Sequence, residues 1–255
     1  MRKSHKHQMH MVSVATMTAE AIAFIREHEP PEGYFVGFSG GKDSIVTLEL
    51  VRMSGVKHQA YYSATGIDPP EVVKFIRQNY PEVKWLRPKM SFWEGIQRNR
   101  PPRRVTRWCC DVLKKTPSRH IPLSRRIMGI RAEESAVRAS RPRISKVGKQ
   151  FIHKPVFAWL EWHIWDFITE HSLSYPSLYD EGWDRLGCVI CPFLCHKNQR
   201  AINQHKARWP RQHKAFEHAV TRWWHKMREK EKFDRDKYED ETPEQYIQAW
   251  YRGFE

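Results

Sequence analysis

Two groups of residues in this 255-residue chain have the types and spacing to do chemistry. The first is Ser39-Gly40-Gly41-Lys42-Asp43-Ser44. Tyr34-Phe35-Val36-Gly37-Phe38 before it reads as a short buried strand, and Ile45 to Val51 after it reads as a helix with one apolar side. The hexapeptide is therefore a strand-to-helix turn. Its glycines admit a backbone that side chains would block. Amides at a helix start meet the positive end of the helix dipole, which favours anions. The amides of Gly40, Gly41 and Lys42 and the hydroxyls of Ser39 and Ser44 are donors suited to the oxygens of a phosphate anhydride. Lys42 and Asp43 are the charged side chains of the turn and candidate catalytic residues, Asp43 either to help hold Mg2+ or to order the loop.

The second group is the cysteines: the tandem pair Cys109-Cys110, then Cys188-x-x-Cys191, with Cys195 four positions further on. An odd count, with four thiols in close pairs, suits a metal better than a disulfide framework. Zinc is one candidate for Cys109, Cys110, Cys188 and Cys191, but the sulfurs of adjacent cysteines diverge from a single ion. A cubane offers neighbouring thiolates separate irons. Cys195 stands as a substitute for one member of the tandem pair. Arg131 and Arg138, seven apart, are expected on one helix face, where guanidinium forks suit phosphate, with Glu134 and Ser135 between them to orient the forks.

The elements that must position these groups alternate. A helix over residues 16–28 precedes the first strand and the glycine turn. A second strand is read from Lys57 to Thr65, then a helix opened by prolines, a third strand at "EVKWLRP", a short helix at "SFWEGIQRN", and a fourth strand at "RRIMG" running into a helix. This pattern predicts an α/β fold: a twisted, mostly parallel sheet with helices on both faces. Ligands in such sheets bind beyond the carboxyl ends of strands. Ser39–Ser44, Thr65-Gly66-Ile67-Asp68 and Gly129-Ile130-Arg131 all fall there. Three regions are expected: a tail and helix over 1–28, the α/β domain with its cysteines over 29–195, and a basic, Trp-containing helical region over 196–255. In the last, Phe216, Val220, Trp223 and Met227 repeat at helical spacing and are read as core rather than as stacking platforms.

The formal net charge is +15, and it is concentrated. Residues 84–154 hold 20 Lys and Arg against 4 Asp and Glu, while the rest of the chain nearly cancels. Such a segment favours a polyanionic ligand. No apolar run is long enough to cross a bilayer, and the basic start lacks the apolar core of a signal peptide, so a cytoplasmic protein without a membrane partner is expected.

Ser39–Ser44 does not fit a Walker A loop; it resembles the SGGxDS pyrophosphate loop of PP-loop ATP pyrophosphatases. "SATGIDPPEVVKFI", "RWCCDVLKKTP", "GIRAEESAVRASR" and "PVFAWLEWHIWDFITEHSLSYPSLYDEGWDRLGC" follow in the order of similar elements of the phosphoadenylyl-sulfate (PAPS) reductase family. The resemblance spans roughly residues 33–195. It implies an adenine nucleotide, ATP or adenylyl sulfate, contacted by Ser39–Ser44, Thr65, Gly66, Gly129 and Arg131, with adenine near Phe38 and Ser63. It also implies a [4Fe–4S] cluster, because iron–sulfur members share the CC…CxxC pattern. Reductases of this family carry a catalytic cysteine near their C-terminus, and no cysteine follows Cys195 here. That departure is similar to the branch of ATP pyrophosphatases in DNA phosphorothioation. The implied activity is adenylylation of a nucleic acid, with Lys42, Asp43, Arg131 and Arg138 at the chemistry. Sulfur would come from a donor protein such as a cysteine desulfurase. The basic run "QRNRPPRRVTR" would lie against DNA, and a homo-oligomer is compatible with the pattern. Two readings stand beside this one: a reductase of adenylyl sulfate or PAPS releasing sulfite, and a non-catalytic nucleotide- or nucleic-acid-binding module.

Overall fold

The computed structural model describes residues 13–195, 199–229 and 242–253. The loose tail expected at the start therefore lies mostly outside the described residues, as does the side chain of Cys195. The chain forms two compact units. One takes the described residues up to Tyr61 together with Pro122–Tyr175; the other takes Tyr62–Ile121 and the described residues from Pro176 onward. A single six-stranded sheet runs in the order β3-β2-β1-β4-β6-β5, and the boundary between units falls within β2.

Helix α1 (Val14–Glu27) opens on Ser13, whose side chain accepts from the Thr16 amide. β1 (Tyr34–Phe38) is apolar and buried along nearly its whole length, as a strand covered on both faces must be. α2 (Lys42–Ser54) starts directly after the glycine turn and stops at Gly55, whose φ of 72° is the left-handed conformation of a helix C-terminus. β2 (His58–Ser63) and β3 (Lys84–Leu86) flank α3 (Pro70–Asn79), which has proline in its first turn. α4 (Phe92–Arg98) is closed by a capping box in which Ser91 and Glu94 satisfy each other's amides.

β4 (Arg125–Met128) pairs in parallel with β1, Val36 opposite Ile127. The chain order thus reverses between β1 and β4, the position at which open α/β sheets bind ligands. After the one-turn helix α5 (Ala136–Ala139) comes a hairpin of β5 (Ile144–Val147) and β6 (Gln150–His153). β6 is parallel to β4 and antiparallel to β5, which makes the sheet mixed but mostly parallel. α6 (Glu161–Glu170) completes the first unit. Its core includes Ile25, Val36, Ile45, Leu48, Ile127, Ile164 and Phe167, each at most 1% exposed.

The second unit is mainly helical. Cys110–Lys115 forms a short π-helical segment, and α7 (Pro192–Cys195), α8 (Gln199–Arg208), α9 (Pro210–Arg228) and α10 (Pro243–Arg252) follow. Phe216, Val220 and Trp223 of the expected stripe are buried, and Met227 is half-buried. Phe216 lies 4.4 Å from the Trp250 ring and 6.5 Å from the Phe92 ring, centroid to centroid. Trp250 donates its indole N–H to the Pro102 carbonyl at 2.7 Å, so this buried ring leaves no polar atom without a partner. No described helix is long and apolar enough to cross a membrane.

Candidate functional site

The glycine turn is held by its own serines. Ser44 donates its hydroxyl to the Gly41 carbonyl at 2.8 Å and accepts from the Ser39 amide and hydroxyl, both at 3.2 Å. Gly40 takes φ of 73°, and Gly41 is the N-cap of α2 with no side-chain cap. The turn thus combines a left-handed glycine with a helix N-terminus, the geometry of an anion cradle.

The loop after β4 meets this cradle. A Cβ on Gly129 would stand 2.6 Å from the Asp43 carbonyl oxygen and 2.8 Å from the Thr47 hydroxyl, so only glycine lets β4 end against the first turn of α2. Arg131 is 4% exposed and donates its Nε–H to Asp43 Oδ1 at 2.5 Å. It also pairs with Glu133, whose carboxylate accepts the Glu161 amide at the start of α6. Burial alone would lower the Arg131 guanidinium; Asp43 and Glu133 outweigh it and hold it above the usual arginine range. Lys42, 4% exposed, leaves the turn in another direction, to Glu161 at 3.0 Å and to the face of Trp165 at 5.8 Å. Asp43 is therefore an ordering partner of Arg131 in this arrangement.

The expectation that Arg131 and Arg138 share a helix face is corrected. Arg131 is extended, with φ −108° and ψ 145°, and Ser135 is extended again before α5 begins. The break arises because Ser135 caps α5 through the Arg138 amide, which sets Arg138 in a new helix. Glu134 still ties the two, accepting the Arg131 amide and pairing with the Arg138 side chain. The fourth strand likewise runs into a single 3-10 turn, Ala132–Glu134, and not directly into a helix.

The other expected residues lie in the second unit. Thr65 is 2% exposed and donates to Asp68 Oδ2 at 2.7 Å; the same oxygen accepts from the Tyr62 hydroxyl at 2.6 Å. Gly66 takes φ of 78° in the resulting turn. The second oxygen of Asp68 accepts from the Cys188 thiol at 3.7 Å, and the Val189 amide donates to the Ile67 carbonyl at 2.8 Å. The turn after β2 is thereby fastened to the Cys188 segment.

Cys109 is buried and hydrogen-bonded to Cys110; Cys110, Cys188 and Cys191 are half-buried. The Cys109 thiol is pushed up by that hydrogen bond, by burial and by the other three sulfurs. Cys110 is pulled down to about 6 by the same bond and by Lys114, Arg107 and Lys115, against its burial. Cys188 is pushed up to about 12, chiefly by burial. Lys114 is exposed as a residue, yet its ammonium is turned toward the Cys188 thiol. Desolvation there would lower it, and Cys188 and Asp68 outweigh that and hold it above the usual lysine range. No three His, Cys, Asp or Glu side chains among the described residues are arranged to hold a metal ion. The four sulfurs are nonetheless within one another's electrostatic reach, with Lys114 beside Cys188.

Gly95 explains how the tandem cysteines are seated. A Cβ there would fall 2.0 Å from the Trp108 ring, so the indole lies directly on α4, with its N–H donated to the Arg100 carbonyl at 2.9 Å. The basic segment is divided between the units, and several of its cations have internal uses. Arg103 bonds the Tyr246 hydroxyl at 3.3 Å, Arg107 lies 4.5 Å over Phe193, and Arg125 donates to the His28 carbonyl at 2.7 Å. Arg126 is buried 4.3 Å over Phe35, and Lys154 is buried against Pro142 and Ser145. Residues not singled out from the sequence also contribute, Glu133, Glu161 and Thr47 around the glycine turn, while Asp68, placed by the sequence at the end of β2, and Lys114 stand by the thiols.

Residues 33–194 match the phosphoadenosine phosphosulfate reductase domain family. An uncharacterized protein of Methanocaldococcus jannaschii is 30% identical over 220 residues, covering 80% of this chain and 45% of that protein, so the chain spans less than half of its length. An adenosine 5'-phosphosulfate reductase of Staphylococcus haemolyticus is 23% identical over 176 residues, covering 64% of this chain and 72% of that protein. Among solved structures, the PAPS reductase of Candida auris in its phosphate complex has a TM-score of 0.53 at 15% identity, covering 74% of this chain and 97% of that one. At that identity the likeness is one of fold.

Proposed function

Because the chain belongs to the phosphoadenosine phosphosulfate reductase domain family, we propose that it grips the phosphates of ATP at Ser39–Ser44 and transfers the adenylyl group to a phosphate oxygen of DNA, to be replaced by sulfur. The thiols of Cys109, Cys110, Cys188 and Cys191, within electrostatic reach of one another, support this reading, since simple anhydride hydrolysis has no use for them. The amides of the glycine turn and the dipole of α2 bind the pyrophosphate portion of ATP. Attack of the DNA oxygen on the α-phosphorus breaks the α–β anhydride, and pyrophosphate leaves with charge that the same amides stabilise. Arg131 keeps the first turn of α2 in place through Asp43. A persulfide from a sulfur-donor protein, of the kind a cysteine desulfurase provides, then attacks the activated phosphorus and displaces AMP. A second thiol cleaves the S–S bond, leaving sulfur on phosphorus and a disulfide behind. Cys109, Cys110, Cys188 and Cys191 would hold a [4Fe–4S] cluster, which supplies electron transfer or a sulfur-binding iron when bound.

A second reading is favoured by one comparison: the relative in Staphylococcus haemolyticus is named an adenosine 5'-phosphosulfate reductase. Under it the same turn holds adenylyl sulfate and the products are sulfite and AMP.

One anaerobic experiment separates the two. The protein is given ATP, adenylyl sulfate or PAPS, with DNA and a desulfurase charged with cysteine, and pyrophosphate and sulfite are both measured. The expected result is pyrophosphate from ATP, lost in Ser44→Ala because the hydroxyl that closes the turn onto Gly41 is gone. Sulfite from either sulfonucleotide, with no pyrophosphate from ATP, overturns the first reading in favour of the second.

A further inference from the structure

One face of α9 stands out in the second unit. Arg211, Lys214, His218, Arg222, His225 and Lys226 are all exposed, and their spacing places them on one side of the helix. None makes an ion pair or hydrogen bond with another described side chain, in contrast to Glu217 on the flank, which receives Lys206 and Tyr251. The one acid at the end of this face is the C-cap residue Glu229. From Arg211 to Lys226 the row is about 22 Å long at the helical rise. The opposite side of α9 carries the core residues Phe216, Val220, Trp223 and Trp224, so the row is the face that packing leaves over.

Beside the row is a groove of about 560 Å³ lined by Trp93, Ala215, His218, Thr221 and Arg222. Trp93 is half-buried, with its ring edge-on to Phe92 at 5.2 Å. A tryptophan wall and an arginine at the edge of a line of cations form the pairing used for single strands: an aromatic platform for a base and cations for the phosphates next to it. A duplex presents its phosphates but no unstacked base for Trp93.

We infer that the outer face of α9, with the Trp93 groove, is the docking surface for a single-stranded stretch of the acceptor DNA. The inference rests on the proposed function for its acceptor, and it moves the main DNA contact from the 98–107 segment to α9. Phosphates lie along Arg211, Lys214, Arg222 and Lys226, and one base enters the groove against Trp93.

The test is binding of labelled oligonucleotides by fluorescence anisotropy across a salt series, with single-stranded DNA, duplex DNA and single-stranded RNA. The variants are Arg211→Gln/Lys214→Gln/Arg222→Gln/Lys226→Gln on α9 and Arg98→Gln/Arg100→Gln/Arg104→Gln in the segment the sequence pointed to. Both replace exposed residues, and equal thermal melting checks that each is folded. The expected result is tighter binding of single-stranded DNA than of duplex. The α9 variant should lose at least tenfold in affinity, and its log–log salt slope should shrink by about 3, from four lost phosphate contacts. Trp93→Leu should weaken single-stranded binding while Trp93→Phe keeps it. If the α9 variant keeps the wild-type slope while the 98–107 variant loses it, the surface is wrong and the DNA acceptor stands. Preference for duplex or for RNA also overturns this surface. If the wild type binds no oligonucleotide yet releases pyrophosphate from ATP, the surface and the DNA acceptor both fall, and the nucleotide site remains.

Discussion

Arg131 and Asp43, 88 residues apart in the chain, are joined by a 2.5 Å hydrogen bond between a nearly buried guanidinium and the second residue of α2. The bond ties the loop after β4 to the glycine turn after β1, the two strands between which the chain order reverses. Removing one partner leaves the other charge without its counterpart in a largely dry site. Arg131→Met should therefore destabilise the protein by about 3 kcal/mol, the range for breaking a buried pair. Its effect on ATP binding should exceed that of Arg138→Met, whose side chain is about one-third exposed. Chemical denaturation and nucleotide titration of both variants check this; equal effects would show that Arg131 has no special hold on the turn.

Gly129 sets how closely these two loops approach. Its missing Cβ would meet the carbonyl of Asp43, a backbone atom that cannot swing away as a side chain could. Gly129→Ala should force β4 and α2 apart by several tenths of an ångström and cost about 1–3 kcal/mol as an overpacked contact. Because the strain falls on the first turn of α2, affinity for ATP should drop by more than tenfold. Gly148→Ala, at a hairpin turn with open space around it, should leave nucleotide affinity unchanged and cost about 1 kcal/mol for its left-handed φ of 59°. The pair of variants separates loss of stability from loss of the cradle.

Gly95 has the same role for the thiols. Any side chain there displaces the Trp108 ring, and Trp108 immediately precedes Cys109. Gly95→Ala should lower the iron and acid-labile sulfide retained by anaerobically purified protein, with the brown colour fading in proportion. Cys188→Ser and Cys191→Ser should abolish both. Colourless wild-type protein with stoichiometric zinc would refute the cluster.

The strand and glycine turn were legible because they depend on local rules: an apolar run, two adjacent glycines and a helix start. What escaped depends on partners far away in sequence. The sequence placed Asp68 at the end of β2, but its partners Tyr62, Thr65 and Cys188, the last 120 residues on, were not legible, since nothing local marks an aspartate before two prolines as a hub. The β5–β6 hairpin was missed because its strands are largely polar and half-exposed at the sheet edge, so neither alternation nor an apolar run appears. Gly148 between Val147 and Lys149 was the available signal. The shared helix face of Arg131 and Arg138 failed for a local reason: Ser135 is a better helix start than helix interior. The charge of the 84–154 segment was counted correctly from composition, but counting does not show that Arg126 and Lys154 are buried in the fold.

Two buried histidines make stability depend on pH. His153 in the first unit and His213 in the second are each 3% exposed. Burial pushes each down from 6.5 to about 4. Around His153 lie His28, Arg125 and the Tyr34 ring, while His213 faces His205, Lys206, Glu217 and the Tyr251 hydroxyl. His205 is lowered as well, again chiefly by burial. Between the two pKa values the unfolded chain binds a proton that the folded one refuses, so acid favours unfolding. The contribution is fully present above about pH 6.5 and is lost as pH falls to about 4, amounting to about 3 kcal/mol for each of His153 and His213. Melting temperature should thus be level from pH 8 to about 6.5 and fall steadily below it, on the linkage argument. His213→Gln, which keeps a hydrogen-bonding group for Tyr251, should flatten part of that fall while lowering stability at neutral pH by less than the wild type loses in acid. An unchanged acid slope in that variant would show that His213 takes no part in the fall.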